Sequence, residues 1–518
     1  MFPLLYVHYF GEVEITYWEC ALGLLYVLAL YLYFAREKNR MIKKAPEYRY
    51  FMWGLFAKMF GGVIFSLIYF YYYQGGDTIA YFFSAAAMRN MALIDPLEYF
   101  SQFFGDNTMR AWSVYTLDTA KPYQYVFLDD RTFAVIRVMS IIAMFTFNSY
   151  LISTLLIASL SYFGVWASYR TFVSYYPQLA GKLAIGFLFM PSSIFWGSAI
   201  LKDTFTFSAV CWWIHAVDEV FFKKRRIVNK SIVIAVSGIV LVMIKPYIFM
   251  VLFPATLVWI LFFRVASMRS GMLKFAVLPL AVVLMGAISI FVLNRLGDQL
   301  DKFALDEALT TIQVTQGDLS KAESYGSNSF NVGEFDGTWL GVLMKFPVAT
   351  NAALFRPYIW ESHSVVMAIS GLENLWVLAV AILAVLRAGP RFFLRCISGI
   401  PILLMATTFV LLFGFTVGVT TPNFGALVRF KIPLVPFFIS TLYIIVFMGQ
   451  LKRAADKTGQ GFVLSDYRMG TAHVLRTENA KKSARRAANA RARTQAQGGP
   501  ASHGPDGWSG SAPAPGTG

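Results

Sequence analysis

The feature that most limits what this chain can become is a series of apolar runs, each about 20 residues long and separated by short basic loops. In hydrocarbon every backbone N–H and C=O must be satisfied within the segment, so such runs fold as helices that pack as a bundle. Composition agrees. Hydrophobic residues make up 57% of the 518 residues and charged residues only 14%, which excludes an ordinary water-soluble domain. The formal charge of +16 would suit a nucleic-acid binder. The bases sit instead in short inter-helix loops and the tail, as expected where positive loops stay on the cytoplasmic side. No nucleic-acid partner is expected.

The runs predict about 11 spans. The first covers Ile15–Phe34 and is followed by a loop carrying Arg36, Lys38, Arg40, Lys43, Lys44 and Arg49. That loop reads as cytoplasmic and puts the N-terminus outside. A second span, Phe51–Tyr73, returns outward, with Lys58 inside it reading as a side chain snorkelling to the interface. Phe133–Arg170 is too long for one span, and charge bookkeeping allows only one full crossing there. Phe133–Phe147 is therefore expected to dip in from outside or lie in the interface. Further spans are expected at Lys182–Ile200, Thr204–Phe222, Ile232–Ile244, Tyr247–Phe263, Phe275–Leu293, Val365–Leu386, Cys396–Phe415 and Ile432–Met448, leaving the C-terminus cytoplasmic. The expected localisation is a cell membrane (inner or plasma).

Three regions follow: 1–50, a span and basic loop; 51–450, the membrane-embedded bundle; and 451–518, a basic, low-complexity tail expected to be disordered. Two long outside loops, 74–131 and 294–362, interrupt the bundle. In them Ile79–Asn90, Leu97–Phe104 and Leu300–Ile312 read as short amphipathic surface helices. Cys20, Cys211 and Cys396 lie in or beside apolar segments with no metal or disulfide spacing, and His215 and His363 stand alone. No metal site is read from them. There is no phosphate-cradling P-loop, no dinucleotide fingerprint and no Gly-x-Ser-x-Gly elbow.

On this topology the polar motifs gather on the outside. Asp77 follows Gly75-Gly76 at the end of the second span. Lys202-Asp203, Lys245-Pro246-Tyr247, Arg356–Glu361, Glu373-Asn374 and Arg429-Phe430-Lys431 join it. Charges at membrane depth are costly and pair with each other or with a ligand. Lys202, Lys245, Arg356 and Arg429 form a candidate cationic cluster for a phosphate or pyrophosphate. Asp77 is the best-placed carboxylate to take a proton from a hydroxyl. Aromatics such as Tyr247 offer faces on which a sugar ring can stack, and Glu361 and Glu373 complete the candidate binding set. Plainer readings stand beside these: Asp77 as a helix cap, Lys202-Asp203 as a neighbouring pair at a helix start, Lys245-Pro246 as a hairpin, and Arg356–Glu361 as an interfacial anchor with an internal salt bridge.

Gly75-Gly76-Asp77-Thr-Ile-Ala-Tyr, Pro191-Ser-Ser-Ile-Phe-Trp196 before Lys202-Asp203, Leu354–Glu361 with Glu373-Asn374, and Arg429 before the last span together resemble the membrane-embedded GT-C glycosyltransferases and polymerases of bacterial envelope polysaccharides. The resemblance covers roughly 51–448. It implies a GT-C-like, all-α transmembrane fold. It implies transfer of sugar from a polyprenyl-phosphate or -diphosphate carrier to a glycan acceptor on the outer face, with membrane lipid around the protein. It implies that Asp77 is either the base or an acid associated with a divalent cation, with Asp203 or Asp129/Asp130 as a second acid. No other cofactor is implied. The chain departs from the pattern in lacking an adjacent Asp-Glu pair in its first outside loop and a large soluble domain after its last span. A flippase moving a lipid-linked saccharide without chemistry is the rival reading, and an envelope scaffold the third.

Overall fold

The computed structural model describes residues 15–267, 314, 330, 338–459 and 461–472. Among them all regular structure is helical. The helices are α1 (Tyr17–Ile42), α2 (Phe51–Leu67), α3 (Asp77–Ile94), α4 (Pro96–Phe104), α5 (Met109–Ser113), α6 (Gln124–Phe127), α7 (Asp130–Phe145), α8 (Tyr150–Tyr175), α9 (Ala180–Leu188), α10 (Pro191–Phe195), α11 (Lys202–Val217), α12 (Ile227–Ile244) and α13 (Pro246–Ser267). After the interval come α14 (Trp339–Met344), α15 (Phe346–Phe355), α16 (Val365–Ala388), α17 (Pro390–Gly399), α18 (Pro401–Thr420), α19 (Phe424–Phe430) and α20 (Val435–Lys457).

Eight of the described helices are long and apolar enough to cross a membrane: α1, α2 with its flanking turns, α8, α12, α13, α16, α18 and α20. The protein is therefore a multi-pass helical membrane protein, with eight such helices among the described residues. The expected Phe275–Leu293 span, the Leu300–Ile312 helix and the tail beyond residue 472 lie outside the described residues. Two other expected spans take a different form. Lys182–Ile200 is broken: α9 stops at Leu188, Pro191 opens the one-and-a-half-turn α10, and the chain leaves helical form before α11. Proline cannot supply the N–H that would continue α9. Thr204–Phe222 becomes the 16-residue α11 followed by a π turn, Asp218–Phe222. Phe133–Arg170 holds α7 and α8, of which only α8 meets the span criterion.

Helix caps fix the entry angles. Asp95 accepts from the N–H groups of Leu97 and Glu98 to start α4, Asp129 from Arg131 to start α7, Ser149 from Ile152 to start α8, and Asn423 from Ala426 to start α19. The expected surface helix over Ile79–Asn90 is instead a buried element. In α3 nearly every residue from Thr78 to Met91 is buried, because α7 packs along it. Lys58 is also not a snorkelling residue. It is 4% exposed, and its ammonium donates to the carbonyls of Ser193 (3.3 Å) and Gly197. Those carbonyls are left over where the α9–α10 segment departs from helical form, so Lys58 satisfies the break.

The bundle has two chemically distinct ends. α8, α11 and α12 run between them. One end gathers Asp77, Asp129, Lys202, Asp203, Lys245 and Arg429. The other gathers Arg170, Lys223, Arg225, Arg226 and Lys230. Each end also has a helix that unwinds into a π turn, Ile68–Tyr72 before Asp77 and Asp218–Phe222 before the basic turn.

Candidate functional site

Three helices begin at one place, and each brings an aspartate to it. Asp77 is in the first turn of α3, Asp129 caps α7, and Asp203 is in the first turn of α11. A helix N-terminus carries unpaired N–H groups and about half a positive charge, so carboxylates gather there naturally. The entry to α3 depends on Gly76. Its φ of +102° lies in territory closed to side chains, and a Cβ there would sit 2.9 Å from the Tyr69 ring. Gly76, rather than Asp77, occupies the cap position, so the carboxylate of Asp77 is left for another partner.

That partner is Arg429, from the last turn of α19. Its Nη1 donates to Asp77 Oδ2 at 2.7 Å and its Nε to Asp203 Oδ2 at 2.6 Å. Lys245, between α12 and α13, donates to the other oxygen of Asp203 at 2.5 Å. Lys202 reaches Asp129 at 2.8 Å, and Thr132 donates to the same carboxylate. Burial alone would lower the Arg429 guanidinium, but Asp203 and then Asp77 hold it above its ordinary value. Burial also pushes Asp129 upward, and its bonds to Lys202 and Thr132 and from the Arg131 N–H bring it below the usual carboxylate value.

Exposure divides the cluster into a floor and a rim. Asp203 is 2% exposed with both oxygens occupied, and Lys245 is buried beside it. Asp77 and Asp129 are each 44% exposed in their side chains. The three cations and three carboxylates balance. The helix N-termini then leave the mouth electropositive, a setting suited to an anion. Tyr247 flanks the floor, its ring 6.0 Å from Lys245 Nζ and stacked on Phe413.

The remaining expected site residues form a neighbouring group instead of joining the cluster. Arg356 does not stand with Lys202, Lys245 and Arg429 as a free cation. Its guanidinium grips Glu361, with Nε 3.0 and 3.2 Å from the two carboxylate oxygens, and lies over the rings of Phe330 and Phe424. Glu373 is also committed, accepting from the Ser192 N–H at 2.7 Å and its hydroxyl at 2.5 Å. Lys431, two residues beyond Arg429, ties this group together by donating to Asn374 at 2.8 Å and to the Arg356 carbonyl at 3.0 Å.

Sequence reasoning named Lys202-Asp203 as a neighbouring pair, yet each finds a different partner. Adjacent residues on a helix point about 100° apart, so neighbours in sequence do not face each other. Lys431 and Ser192, which tie the neighbouring group together, stand in the sequence only as parts of the Arg429-Phe430-Lys431 and Pro191–Trp196 motifs. Asp129 was one of several acids in its loop. The Asp-Asp-Arg-Thr sequence at the start of an apolar run was the cap signal that singles it out.

The donor set does not suit a divalent cation. Each carboxylate of the cluster already holds an ammonium or guanidinium at 2.5–2.8 Å, and no group of three or more His, Cys, Asp or Glu side chains with metal-binding geometry occurs among the described residues.

A second feature adjoins the site. α2, α10 and α16 line an open apolar groove of about 380 Å³, floored by Glu373 and Ser192 and bordered by exposed Phe60. It climbs α2 to Ile68; the next residue, Tyr69, packs on Gly76 beside Asp77.

No protein-family profile, no curated protein and no solved structure matches this chain.

Proposed function

We propose that the fold and cluster define a membrane-embedded transferase acting on a lipid-linked anionic substrate. More particularly, we propose a glycosyltransferase or polysaccharide polymerase that takes sugar from a polyprenyl-phosphate or -diphosphate donor on the non-cytoplasmic face. The single observation that carries this reading is the joining of a half-exposed carboxylate to a balanced ionic cluster beside an apolar groove. A lipid-linked sugar needs all three: a groove for the chain, cations for the phosphate and a base for the acceptor.

In this reading the polyprenyl chain lies along α2 in the groove. Its phosphate meets Lys202 and the outer edge of Arg429, which stabilise the charge that develops as the bond to the sugar breaks. Asp77 takes the proton of an acceptor hydroxyl. The hydroxyl oxygen then forms a bond to the anomeric carbon, and the bond from that carbon to the phosphate oxygen breaks, its electron pair leaving with the polyprenyl phosphate. Asp203 and Lys245 touch no reacting atom and act as positioning residues that hold Arg429 in place. The basic end of the bundle faces the cytoplasm in this reading, which sets the cluster outside.

A flippase would need a polar route from one end to the other. The described stretch of α11 between the two ends buries Phe207, Val210, Cys211 and Ile214 against α8 and its neighbours, which supports transfer over translocation. The test is incubation of the purified protein with radiolabelled lipid-linked sugar and an acceptor glycan. Transfer by the wild type that disappears in Asp77→Asn is the expected result. Movement of the label across a liposome with no transfer would overturn the assignment.

A further inference from the structure

The far end of α11 carries a second, unrelated cavity. It has a volume of about 510 Å³, and Arg170, Lys223, Arg225, Arg226 and Lys230 line it against, among the described residues, a single acid, Glu219. The 16 residues of α11 place it roughly 24 Å from the Asp203 cluster. In the sequence Lys223–Arg226 reads only as a topology signal. In three dimensions it forms one wall of a pocket whose opposite wall is Arg170, Thr171 and Ser174 of α8, with Met469 and Ala472 from the segment after α20 closing a side.

The acids nearby do not neutralise this pocket. Lys223 takes Asp218 at 2.5 Å and Glu219 at 3.2 Å, and Arg170 lies 3.5 Å from Glu47. Among the described residues no carboxylate pairs with Arg225, Arg226 or Lys230. Lys230 Nζ is instead 3.2 Å from His215 Nε2, and Thr171 Oγ1 is 2.9 Å from His215 Nδ1. An ammonium can only donate, so Nε2 accepts and Nδ1 carries the proton, donating it to Thr171. The imidazole is thus used as a neutral strut that aims Lys230 into the cavity. The backbone contributes too. Lys224 and Arg226 both sit at positive φ (53° and 48°), a costly conformation for residues with side chains. Arg226 opens the 18-residue α12, whose N-terminus adds its partial positive charge at the same place.

Like charges held together at a bundle end, with Arg225, Arg226 and Lys230 paired to no carboxylate among the described residues, call for an anion. We propose that this cavity is a binding site for a phosphate group. Its chemistry fits the phosphodiester of an anionic lipid headgroup or the phosphates of a soluble phosphorylated molecule: several point charges and forks around an opening wide enough for more than one phosphate. The site does not depend on the transfer reading, because it shares no residue with the Asp77 cluster. The 461–472 segment borders it through Met469 and Ala472, and Thr471 between them holds the segment in place by donating its hydroxyl to Gln178 at 2.6 Å. An occupant therefore also touches the chain leading into the basic tail.

The test uses the full-length protein in nanodiscs, with the charge-removing variant Arg225→Gln/Lys230→Gln and the charge-keeping variant Arg225→Lys/Lys230→Arg. Inorganic pyrophosphate is titrated against protein in phosphatidylcholine discs. Bound phosphatidylglycerol is counted by native mass spectrometry in discs that contain it. Loss of roughly tenfold or more in affinity for pyrophosphate in the charge-removing variant alone assigns the site to a soluble phosphate. Loss of retained phosphatidylglycerol in that variant, with no pyrophosphate binding, assigns it to a lipid headgroup. If both probes behave alike in the wild type and the charge-removing variant, the proposal is overturned. Arg225→Gln alone, at an exposed position, gives the same reading at smaller magnitude should the double variant fold poorly, and it leaves Lys223, Lys224 and Arg226 to hold the topology.

Discussion

The two aspartates bound by Arg429 make opposite predictions when neutralised. Asp203→Asn removes the one carboxylate between the buried Lys245 and the largely buried Arg429. Lys245 and Arg429 are then left facing each other with no counter-charge on the floor, and breaking a buried pair in this way costs about 3–5 kcal/mol. Asp77→Asn removes a half-exposed partner, while Arg429 keeps Asp203. The exposed part of that pair contributes no more than about 1 kcal/mol. If Asp77 is the base, however, its loss lowers turnover by roughly a hundred- to ten-thousand-fold. The assay is therefore two-sided: SDS-titrated unfolding of the reconstituted protein for stability, and transfer of labelled sugar for activity. Asp77→Asn is expected to be stable and inactive, Asp203→Asn strongly destabilised. Equal destabilisation by the two would refute the division into floor and rim, and full transfer by a stable Asp77→Asn would refute the base assignment.

Three other perturbations follow from particular contacts. Gly76→Ala places a methyl group at φ +102° and 2.9 Å from the Tyr69 ring; it should cost about 1–3 kcal/mol and displace Asp77, read as lost stability and transfer together. Lys58→Met leaves the Ser193 and Gly197 carbonyls unsatisfied where α9–α10 breaks; a loss of about 2–3 kcal/mol in the same unfolding assay is expected, and an unchanged midpoint would show that the carbonyls find other donors. Burial brings the Lys431 ammonium down to about 8, with Glu373 opposing. The unfolded chain, with an ordinary lysine, binds the extra proton between about pH 8 and 10.4, so stability should rise with pH across that window, by about 2 kcal/mol between pH 8 and 10. Lys431→Met should flatten that rise, measured as the unfolding midpoint against pH.

The class of the fold is written in the apolar runs, since helices of that length and hydropathy have few other places to go. The members of the ionic cluster were also legible one by one. Arg429 and Lys431 stand where basic residues are not expected, and Asp77 follows a helix-breaking Gly-Gly. What the sequence could not show was pairing. Arg429 meets Asp77 across 352 residues and Asp203 across 226, separations at which no periodicity carries information. Arg356 is the local exception: Glu361, five residues on, holds it, as the internal-salt-bridge reading of Arg356–Glu361 has it rather than the free-cation one. The burial of α3 was hidden differently. Its Tyr-Phe-Phe and Ala-rich stretch suits an interfacial helix as well as a core one, and only the docking of α7 decides between them. The break in α9–α10 was signalled by Pro191, but the lysine that satisfies it lies on another helix.

The two ends of the bundle share hardware. α8 carries Tyr150, bonded to Thr78 next to Asp77 at 3.0 Å, and also Arg170 and Thr171 of the basic cavity. α11 carries Asp203 at its start and His215 near its end. α12 starts at the Arg226 turn and delivers Lys245. A rotation or slide of α11 or α12 that widened one site would therefore move a charged residue in the other, because closely packed helices shift as units. Coupling of this kind is reciprocal. If occupancy of the basic cavity by phosphate changes the affinity of the Asp77 end for its substrate by some factor, substrate must change phosphate affinity by the same factor. Titrating pyrophosphate or phosphatidylglycerol with and without lipid-linked sugar measures that factor directly. A value of one would mean that α8, α11 and α12 act as rigid struts between two independent sites.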